Sequence, residues 1–305
     1  MSGFSADWLA LREPFDLRAR EAAWPAFDLS AHAARWRAAQ PSDQLLTVID
    51  LACGSGANLR ALAPAIGGPQ RWRLIDHDPA LLAAVPVAMA GWARQHGYRI
   101  TGSPGPGTVL RIEGAGFSVD LATGQVDLAR GLGEIDWGPA QLVTASALLD
   151  LVSAVWLTAL LRVAGAHGAA LLFALSVDGR TTWDPADAGD AEAHRLFALH
   201  QRRDKGFDGP ALGTAALPLA SRLLAAGGYT LREARSDWNI DGAESPAMLG
   251  AMLDGIAAAA CEQAPATGDV VVRWKARRMA LAARTRLCIG HTDIMAFPAT
   301  APAQP

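Results

Sequence analysis

The segment "VIDLACGSGANLR", residues 48–60, joins an apolar run to a turn with two glycines one residue apart. Gly54 and Gly56 have no side chains, so the backbone there can bend sharply and approach a bound molecule closely. Asp50 stands near the end of the apolar run. A carboxylate at that place repels a phosphate and attracts a cation. The segment therefore predicts a strand, a ligand-binding turn and a helix, and it favours a ligand that carries a positive charge.

A second acid follows at Asp76, which ends the apolar run "RLID". A carboxylate can accept two hydrogen bonds from a diol, and charge-assisted bonds of this kind contribute about 1.5–3 kcal/mol each. Taken alone, Asp76 would also fit the N-cap of a helix that opens at Pro79, although Asp78 is better placed for that cap. Asp50 and Asp76 together favour ligand binding by the glycine turn over a plain strand-to-helix connection.

Short apolar runs alternate with helical patterns along the chain, which predicts an α/β fold with an open, mainly parallel sheet covered by helices on both faces. The predicted strands are 46–51, 71–76, 117–128, 140–146, 169–177, 229–240 and 285–297. The predicted helices between them are 57–65, 79–96, 151–164 and 214–227. The glycine turn thus follows the first strand.

The composition limits the classes to which the protein can belong. The chain has 305 residues, of which 51% are hydrophobic and 19% charged, and it has a net charge of −3. No overall positive charge attracts nucleic acid or anionic lipid. Three cysteines without a CxxC pair argue against a metal site or structural disulfides. No signal peptide is visible, and the longest clean apolar run is too short to cross a bilayer. We expect a cytoplasmic protein without nucleic-acid or membrane partners.

The stretch "DLACGSG" and the later "RLIDHDPALL" resemble the first two motifs of class I S-adenosylmethionine-dependent methyltransferases. The resemblance implies a Rossmann-like sheet of seven strands, mainly parallel with an antiparallel last strand, and S-adenosylmethionine as cofactor. "QVDLARGL" and "QLVTASALLDL" resemble the family's third and fourth contact segments. The residues that this resemblance assigns to the cofactor are Arg20, Asp50, Ala52, Cys53, Gly54, Gly56, Asp76, His77, Asp127, Leu128, Ala145 and Ser146. Ala52 departs from the family, where glycine is commoner.

The resemblance also suggests how the chain is divided. Residues 1–40, read as two helices interrupted at Pro14 and Pro25, would close over the cofactor site. Residues 41–297 form the methyltransferase domain. The insertions are 97–124, with a possible hairpin, 178–213, a polar lid or substrate segment, and 245–284, two helices whose basic run we interpret as a solvated face. Residues 298–305 are predicted to be a disordered tail.

Methyl transfer from a sulfonium depends mainly on holding the nucleophile and the methyl group in line. Where the acceptor must lose a proton, a histidine or carboxylate can take it. The candidates, in order, are His200, Asp204 and Asp150. Exposed charge is the alternative for His200 and Asp204, and a helix cap is the alternative for Asp150. Cys53 is interpreted as a small filler of the turn rather than a nucleophile.

The acceptor is predicted to be a small molecule, because no basic groove is evident and no Asn-Pro-Pro-Tyr or Asp-Pro-Pro-Tyr follows the fourth strand. Two other functions stay open. One is a non-catalytic module that binds S-adenosylmethionine. The other is a nicotinamide-dependent oxidoreductase, although Leu59 occupies the position where a GxGxxG turn needs Gly or Ala. The oligomeric state is not specified by the sequence.

Overall fold

A computed structural model describes residues 5–41, 44–102 and 109–299 of the chain. The helices are α1 (Ala6–Ala23), α2 (Leu29–Ala38), α3 (Ala57–Ile66), α4 (Pro79–His96), α5 (Ala154–Ala166), α6 (Asp190–Gln201), α7 (Ala216–Ala226), α8 (Pro246–Gln263) and α9 (Gly268–Ala280). The strands are β1 (Leu46–Leu51), β2 (Gly68–Asp76), β3 (Arg99–Thr101), β4 (Leu110–Gly114), β5 (Phe117–Gln125), β6 (Leu142–Ser146), β7 (Ala170–Asp184), β8 (Tyr229–Arg235), β9 (Trp238–Asp241) and β10 (Arg286–Pro298).

All of these strands lie in one sheet, in the order β3-β4-β5-β2-β1-β6-β7-β10-β8, with β9 paired to β10. The five strands from β5 to β7 are parallel to one another. β10 lies between β7 and β8 and is antiparallel to both. The predicted mainly parallel sheet with an antiparallel last strand is therefore confirmed. It has ten strands rather than the predicted seven because β3 and β4 extend it and because the single strand predicted at 229–240 is two strands, β8 and β9.

Helices cover both faces of the sheet, and the central strand β1 explains why. All six of its residues are buried. Ile49 and Leu51 enter the core that contains side chains of α5 and α7, whereas Leu46 and Val48 enter the core formed with α3 and α4. Side chains alternate between faces along a strand, so a strand buried on both faces is a continuous apolar run. This burial fixes β1, and with it the start of the glycine turn.

The insertion at 97–124 contains the hairpin that we considered. β3 and β4 are antiparallel, and β4 pairs with β5, which in turn is parallel to β2. The third parallel strand is thus the predicted one, although it ends at Gln125. Residues 103–108 of the glycine- and proline-rich stretch lie outside the described residues. At the other end β10 continues to Pro298, which was predicted for the tail, and residues 300–305 also lie outside the described part.

The insertion at 178–213 is firmly joined to the last two helices. Arg278 of α9 is fully buried, forms an ion pair with Asp190 of α6, and lies 4.4 Å from the ring centroid of Trp183. Arg277 forms a second pair with Asp187 at 2.7 Å. The basic run of α9 is therefore not simply a solvated face: that prediction is wrong for Arg278, because the partly buried carboxylate of Asp190 and the ring of Trp183 hold its charge. The lid role of this insertion stays a prediction.

Helix α1 runs without a break through Pro14, and the predicted interruption occurs only at Pro25, inside a short 3₁₀ turn at Trp24–Ala26. Proline has no backbone N–H, so α1 lacks one helical hydrogen bond at Pro14. Buried residues are concentrated after this point, with Phe15, Asp16, Ala19 and others. Among the described residues, no helix combines the length and apolarity needed to cross a membrane.

Candidate functional site

The turn between β1 and α3 needs glycine where the sequence supplies it. Gly54 and Gly56 have left-handed φ values of 55° and 82°. A Cβ on Gly56 would lie 2.4 Å from Cε of Met89 and 3.2 Å from Cδ1 of Leu74. Ala52 is also left-handed, with φ of 52°, at a cost of about 1–2 kcal/mol. The strain at Ala52 gives a physical reason for the glycine that is commoner in the family.

Asp76 ties this turn to the end of β2. Its Oδ2 accepts a hydrogen bond from Gly54 N at 2.8 Å, and its Oδ1 accepts one from Asp78 N at 3.0 Å. His77 Nδ1 lies 3.3 Å from Oδ1. Asp78, as predicted, caps α4 by accepting from Ala80 N at 2.8 Å. A carboxylate has about four lone-pair sites, so each oxygen of Asp76 keeps capacity for a further donor.

Asp50 is fully buried at the end of β1. Its Oδ1 accepts a hydrogen bond from Asn58 Nδ2 at 2.8 Å, whereas its Oδ2 has no partner among the described residues. Burial raises the pKa of Asp50 to about 7, although the Asn58 hydrogen bond and the charge of Arg20 act in the opposite direction. The carboxyl is therefore poised between its two forms near neutral pH, and it favours a nearby cation.

The side chain of Arg20 extends from α1 to the end of β6. It donates from a terminal nitrogen to Ser146 Oγ at 2.5 Å, and its buried Nε has no described partner. Burial lowers the pKa of Arg20, while Asp16, Asp293 and Asp50 favour its charge. β1 and β6 are neighbouring strands. The structure thus brings together an unpaired buried cationic donor and an unpaired buried carboxylate oxygen, as a ligand with both a carboxylate and an ammonium group requires.

Helix α1 lies directly over the glycine turn. Leu9 Cδ1 is 3.2 Å from the position that a Cβ on Gly54 would take. Glu13 receives two hydrogen bonds from Arg60 of α3, from Nε and from a terminal nitrogen, both at 2.7 Å. Arg60 also donates to the carbonyl of Ser55 at 2.8 Å. The first half of α1 is therefore fastened to the turn that it covers.

The other assigned cofactor residues lie around this edge of the sheet. Asp127 follows β5, accepts from Ala129 N at 3.0 Å and pairs with Arg130 at 3.3 Å. Leu128 is buried, and its carbonyl accepts from Trp156 Nε1 at 2.7 Å. Ala145 is buried within β6. Cys53 is buried, and burial raises the pKa of its thiol well above the ordinary value, which agrees with a filler role.

The three candidate bases differ in their surroundings. His200 Nε2 lies 3.0 Å from Glu262 Oε2 of α8, and Asp204 accepts from Gly206 N at 2.7 Å. None of these contacts joins them to the glycine turn. Asp150, which follows β6, has a buried Oδ1 without a described partner, and burial raises its pKa. It does not cap α5, whose N-cap is Ser153.

Sequence reasoning missed a buried carboxylate on β10. Asp293 is fully buried, accepts from Leu175 N at 2.7 Å and from Ser236 Oγ, and has an unpaired Oδ2. Burial raises the pKa of Asp293 to about 6, with Arg20 favouring the charged form. The sequence signal that could have revealed Asp293 is its position at the start of the apolar run "DIMAF". Asp293 adds a further negative group beside Arg20.

The site disfavours a pyrophosphate. The amides of Cys53, Gly54 and Gly56 already donate to protein oxygens, namely Ile75 O, Asp76 Oδ2 and Cys53 O. They are therefore not available to cradle phosphates, and Asp50 and Asp76 add repulsion. In residues 5–41, 44–102 and 109–299, no group of three or more His, Cys, Asp or Glu is arranged to hold a metal ion.

The glycine turn follows the central strand β1, and Asp76 ends the neighbouring strand β2. The antiparallel strand β10 lies beside β7. The chain has the class I methyltransferase fold. The predicted Rossmann-like architecture is therefore confirmed by the topology of its own sheet, and the antiparallel β10 distinguishes this fold from a nicotinamide-binding sheet.

Comparison with known proteins gives distant similarities to this fold. No protein-family model and no curated protein sequence matches the chain. Among solved structures, the YcgJ protein of Bacillus subtilis is 10% identical over 90% of this chain and 99% of that chain, with a TM-score of 0.43. A cyclopropane-fatty-acyl-phospholipid synthase-like protein of Lactobacillus casei is 14% identical over 97% and 95%, with a TM-score of 0.46. An arsenic(III) S-adenosylmethionine methyltransferase of Chlamydomonas reinhardtii is 15% identical over 85% and 65%, with a TM-score of 0.38.

Proposed function

We propose that the protein is an S-adenosylmethionine-dependent methyltransferase that acts on a small molecule in the cytoplasm. The observation that carries this proposal is the pair of unsatisfied buried groups at the ends of β1 and β6, Asp50 Oδ2 and Arg20 Nε. A buried polar atom without a partner costs about 1–3 kcal/mol, and more when it is charged. Asp50 would hold the ammonium of the methionine arm and Arg20 would hold its carboxylate, so that both groups would gain a partner.

The other parts of the cofactor fit the residues around the turn. Asp76 has lone pairs left for the two ribose hydroxyls. We assign the adenine side to His77, whose side chain is exposed beside Asp76. Asp127 and Leu128 follow β5, the next strand of the sheet, and we assign them to the same side of the ligand. When bound, S-adenosylmethionine supplies an electrophilic methyl group on a sulfonium. The chain's own contribution is to bind, orient and desolvate it.

We propose that Asp150 takes the proton that the substrate loses when it is methylated. It follows β6 four residues after Ser146, and its unpaired buried oxygen has a pKa that burial raises, which brings the group closer to the range useful for a general base. The positive charges of Arg12 and Lys205 act in the opposite direction and lower the pKa of Asp150. His200 and Asp204 stay second candidates, because their described hydrogen bonds are made elsewhere.

Calorimetry with S-adenosylhomocysteine tests the proposal. We expect binding by the wild-type protein and a loss of at least about a hundredfold in Asp76→Ala, since two charge-assisted hydrogen bonds disappear. Asp254→Ala is the matched control: it removes an exposed carboxylate on α8 whose partner is Lys275. An Asp76→Ala protein that binds as tightly as the control would overturn the proposal. Binding without methyl transfer to any fraction of a cell extract would favour the non-catalytic module.

A further inference from the structure

Helix α1 carries a row of buried charges that extends beyond the proposed cofactor site. Arg12, Asp16 and Arg20 are buried, and their spacing places them on one face of the helix. Charged side chains are seldom fully buried unless they are paired. Arg20 reaches Ser146, where we place the methionine arm. Arg12 lies about 12 Å further along the helix axis, since a helix rises about 1.5 Å per residue, so the methionine arm leaves Arg12 for another group.

Arg12 is held firmly, yet not all of its donors are used. Its Nε and one terminal nitrogen donate to the two oxygens of Asp16 at 3.0 and 3.2 Å. Its Cζ lies 5.0 Å from the ring centroid of Trp238, whose Nε1 donates to Asp16 at 3.1 Å. Trp8 packs edge-on against the same ring, with the centroids 6.4 Å apart. Among the described residues, the other terminal nitrogen of Arg12 has no acceptor, which leaves a fixed cationic donor for a ligand.

Asp150 lies close to this donor. It follows β6 four residues after Ser146, and its buried Oδ1 has no partner in the described part of the chain. Burial raises the pKa of Asp150, while the charges of Arg12 and Lys205 act in the opposite direction, which requires both cations to be near the carboxyl. The space beside the methionine arm is thus bordered by a cationic donor on α1 and by a proton acceptor after β6.

The loop that carries Lys205 packs on the segment that begins with Asp150. Gly213 N donates to Asp150 O at 2.9 Å. Phe207 meets the ring of Trp156, with the centroids 5.3 Å apart. These contacts hold Lys205, which is partly buried, on the same side of the site. When Asp150 takes a proton it loses its charge, so the cations beside it are left for an anionic group of the substrate.

These surroundings indicate the chemical class of the methyl acceptor. We propose that the acceptor is a small anion, whose carboxylate or phosphate is bound by Arg12 and Lys205 and whose nucleophilic oxygen or nitrogen faces Asp150. In the reaction, a bond forms between that atom and the methyl carbon, the carbon–sulfur bond breaks with its electron pair left on sulfur, and Asp150 takes the proton. The charged group is not the one that is methylated, so the product stays anionic. This inference rests on the proposed function for the reaction, whereas the anion site rests on Arg12 and its contacts.

The ion pair of Arg12 and Asp16 allows the anion site to be tested in two directions. Arg12→Gln removes the cationic donor and should weaken anion binding by at least about tenfold, the value of one charge-assisted hydrogen bond. Asp16→Asn keeps an oxygen for Trp238 Nε1 but no longer neutralises Arg12, so anion binding should tighten by about two- to fivefold. Arg18→Gln is the matched control, since Arg18 is an exposed arginine on the same helix.

The first measurement is a titration of the protein saturated with S-adenosylhomocysteine, using inorganic phosphate or acetate as the probe and NMR of the anion as the readout. Equal affinities in Arg12→Gln and the control would overturn the proposal. So would weaker binding in Asp16→Asn, because a pair that only supports packing is damaged by either change. If Arg12→Gln does not fold, the sign of the Asp16→Asn effect still decides. If S-adenosylhomocysteine does not bind, the proposed function fails, and the same titration of the ligand-free protein decides whether the anion site exists.

The second measurement identifies the charge of the product. The wild-type protein, given S-adenosylmethionine with a labelled methyl group and a small-molecule extract, should yield a labelled product that an anion exchanger retains near neutral pH. Loss of retention after alkaline phosphatase would identify a phosphate, and unchanged retention a carboxylate. With the fraction that takes up label, Arg12→Gln should raise KM by at least about tenfold, more than it lowers kcat. A neutral or cationic labelled product would overturn the proposal.

Discussion

Binding of S-adenosylhomocysteine should release a proton from Asp50 when the pH is below 7. Burial raises the pKa of this carboxyl to about 7, so most molecules carry it neutral at pH 6. A ligand ammonium placed against the unpaired Oδ2 favours the charged form and lowers the pKa. Each binding event at pH 6 therefore expels close to one proton, and the affinity rises with pH up to about 7.

The size of this effect follows from the shift. If the ligand returns the pKa of Asp50 from about 7 to the ordinary value of 3.8, binding at pH 5 is about a hundredfold weaker than at pH 8. Calorimetry at pH 6 in two buffers of different ionisation enthalpy counts the protons directly. Asp50→Asn imitates the neutral carboxyl, so its affinity should be weak and nearly independent of pH.

The ligand-free protein should show the opposite trend. A carboxyl with a raised pKa stabilises the fold fully below its unfolded value, near pH 4, and loses that contribution as the pH rises through about 7. Thermal unfolding of the wild-type protein should therefore shift downward between pH 6 and 8, and less so in Asp50→Asn. Proton uptake on binding, or a wild-type affinity that is the same at pH 5 and pH 8, would refute the reasoning.

Two further predictions concern stability. Gly56→Ala should lower the free energy of unfolding by about 1–3 kcal/mol, since the residue is left-handed and faces Met89. Ala52→Gly should change the free energy of unfolding by less than about 1 kcal/mol. Equal losses for the two variants in urea titrations would contradict this. Arg278→Met should cost about 3–5 kcal/mol because it leaves Asp190 with an uncompensated, mostly buried charge, and a loss below about 1 kcal/mol in the same titrations would show that the pair contributes little.

The strands around the glycine turn, and the turn itself, could be predicted from local patterns. β1 is a continuous apolar run, Asp78 precedes Pro79, and the two glycines are spaced as a turn requires. Contacts between distant segments could not be predicted in this way. The pairing of Glu13 with Arg60 depends on how α1 packs, which no periodicity specifies. Asp293 was missed because a single acid in an apolar run does not indicate which buried donors it will meet.

The structure of the protein bound to S-adenosylhomocysteine tests the central claim most directly. We predict the ligand carboxylate within hydrogen-bond distance of Arg20, its ammonium against Asp50 Oδ2, and its ribose hydroxyls on Asp76. A ligand bound elsewhere, or one whose amino-acid arm leaves Arg20 and Asp50 unpaired, would contradict the account.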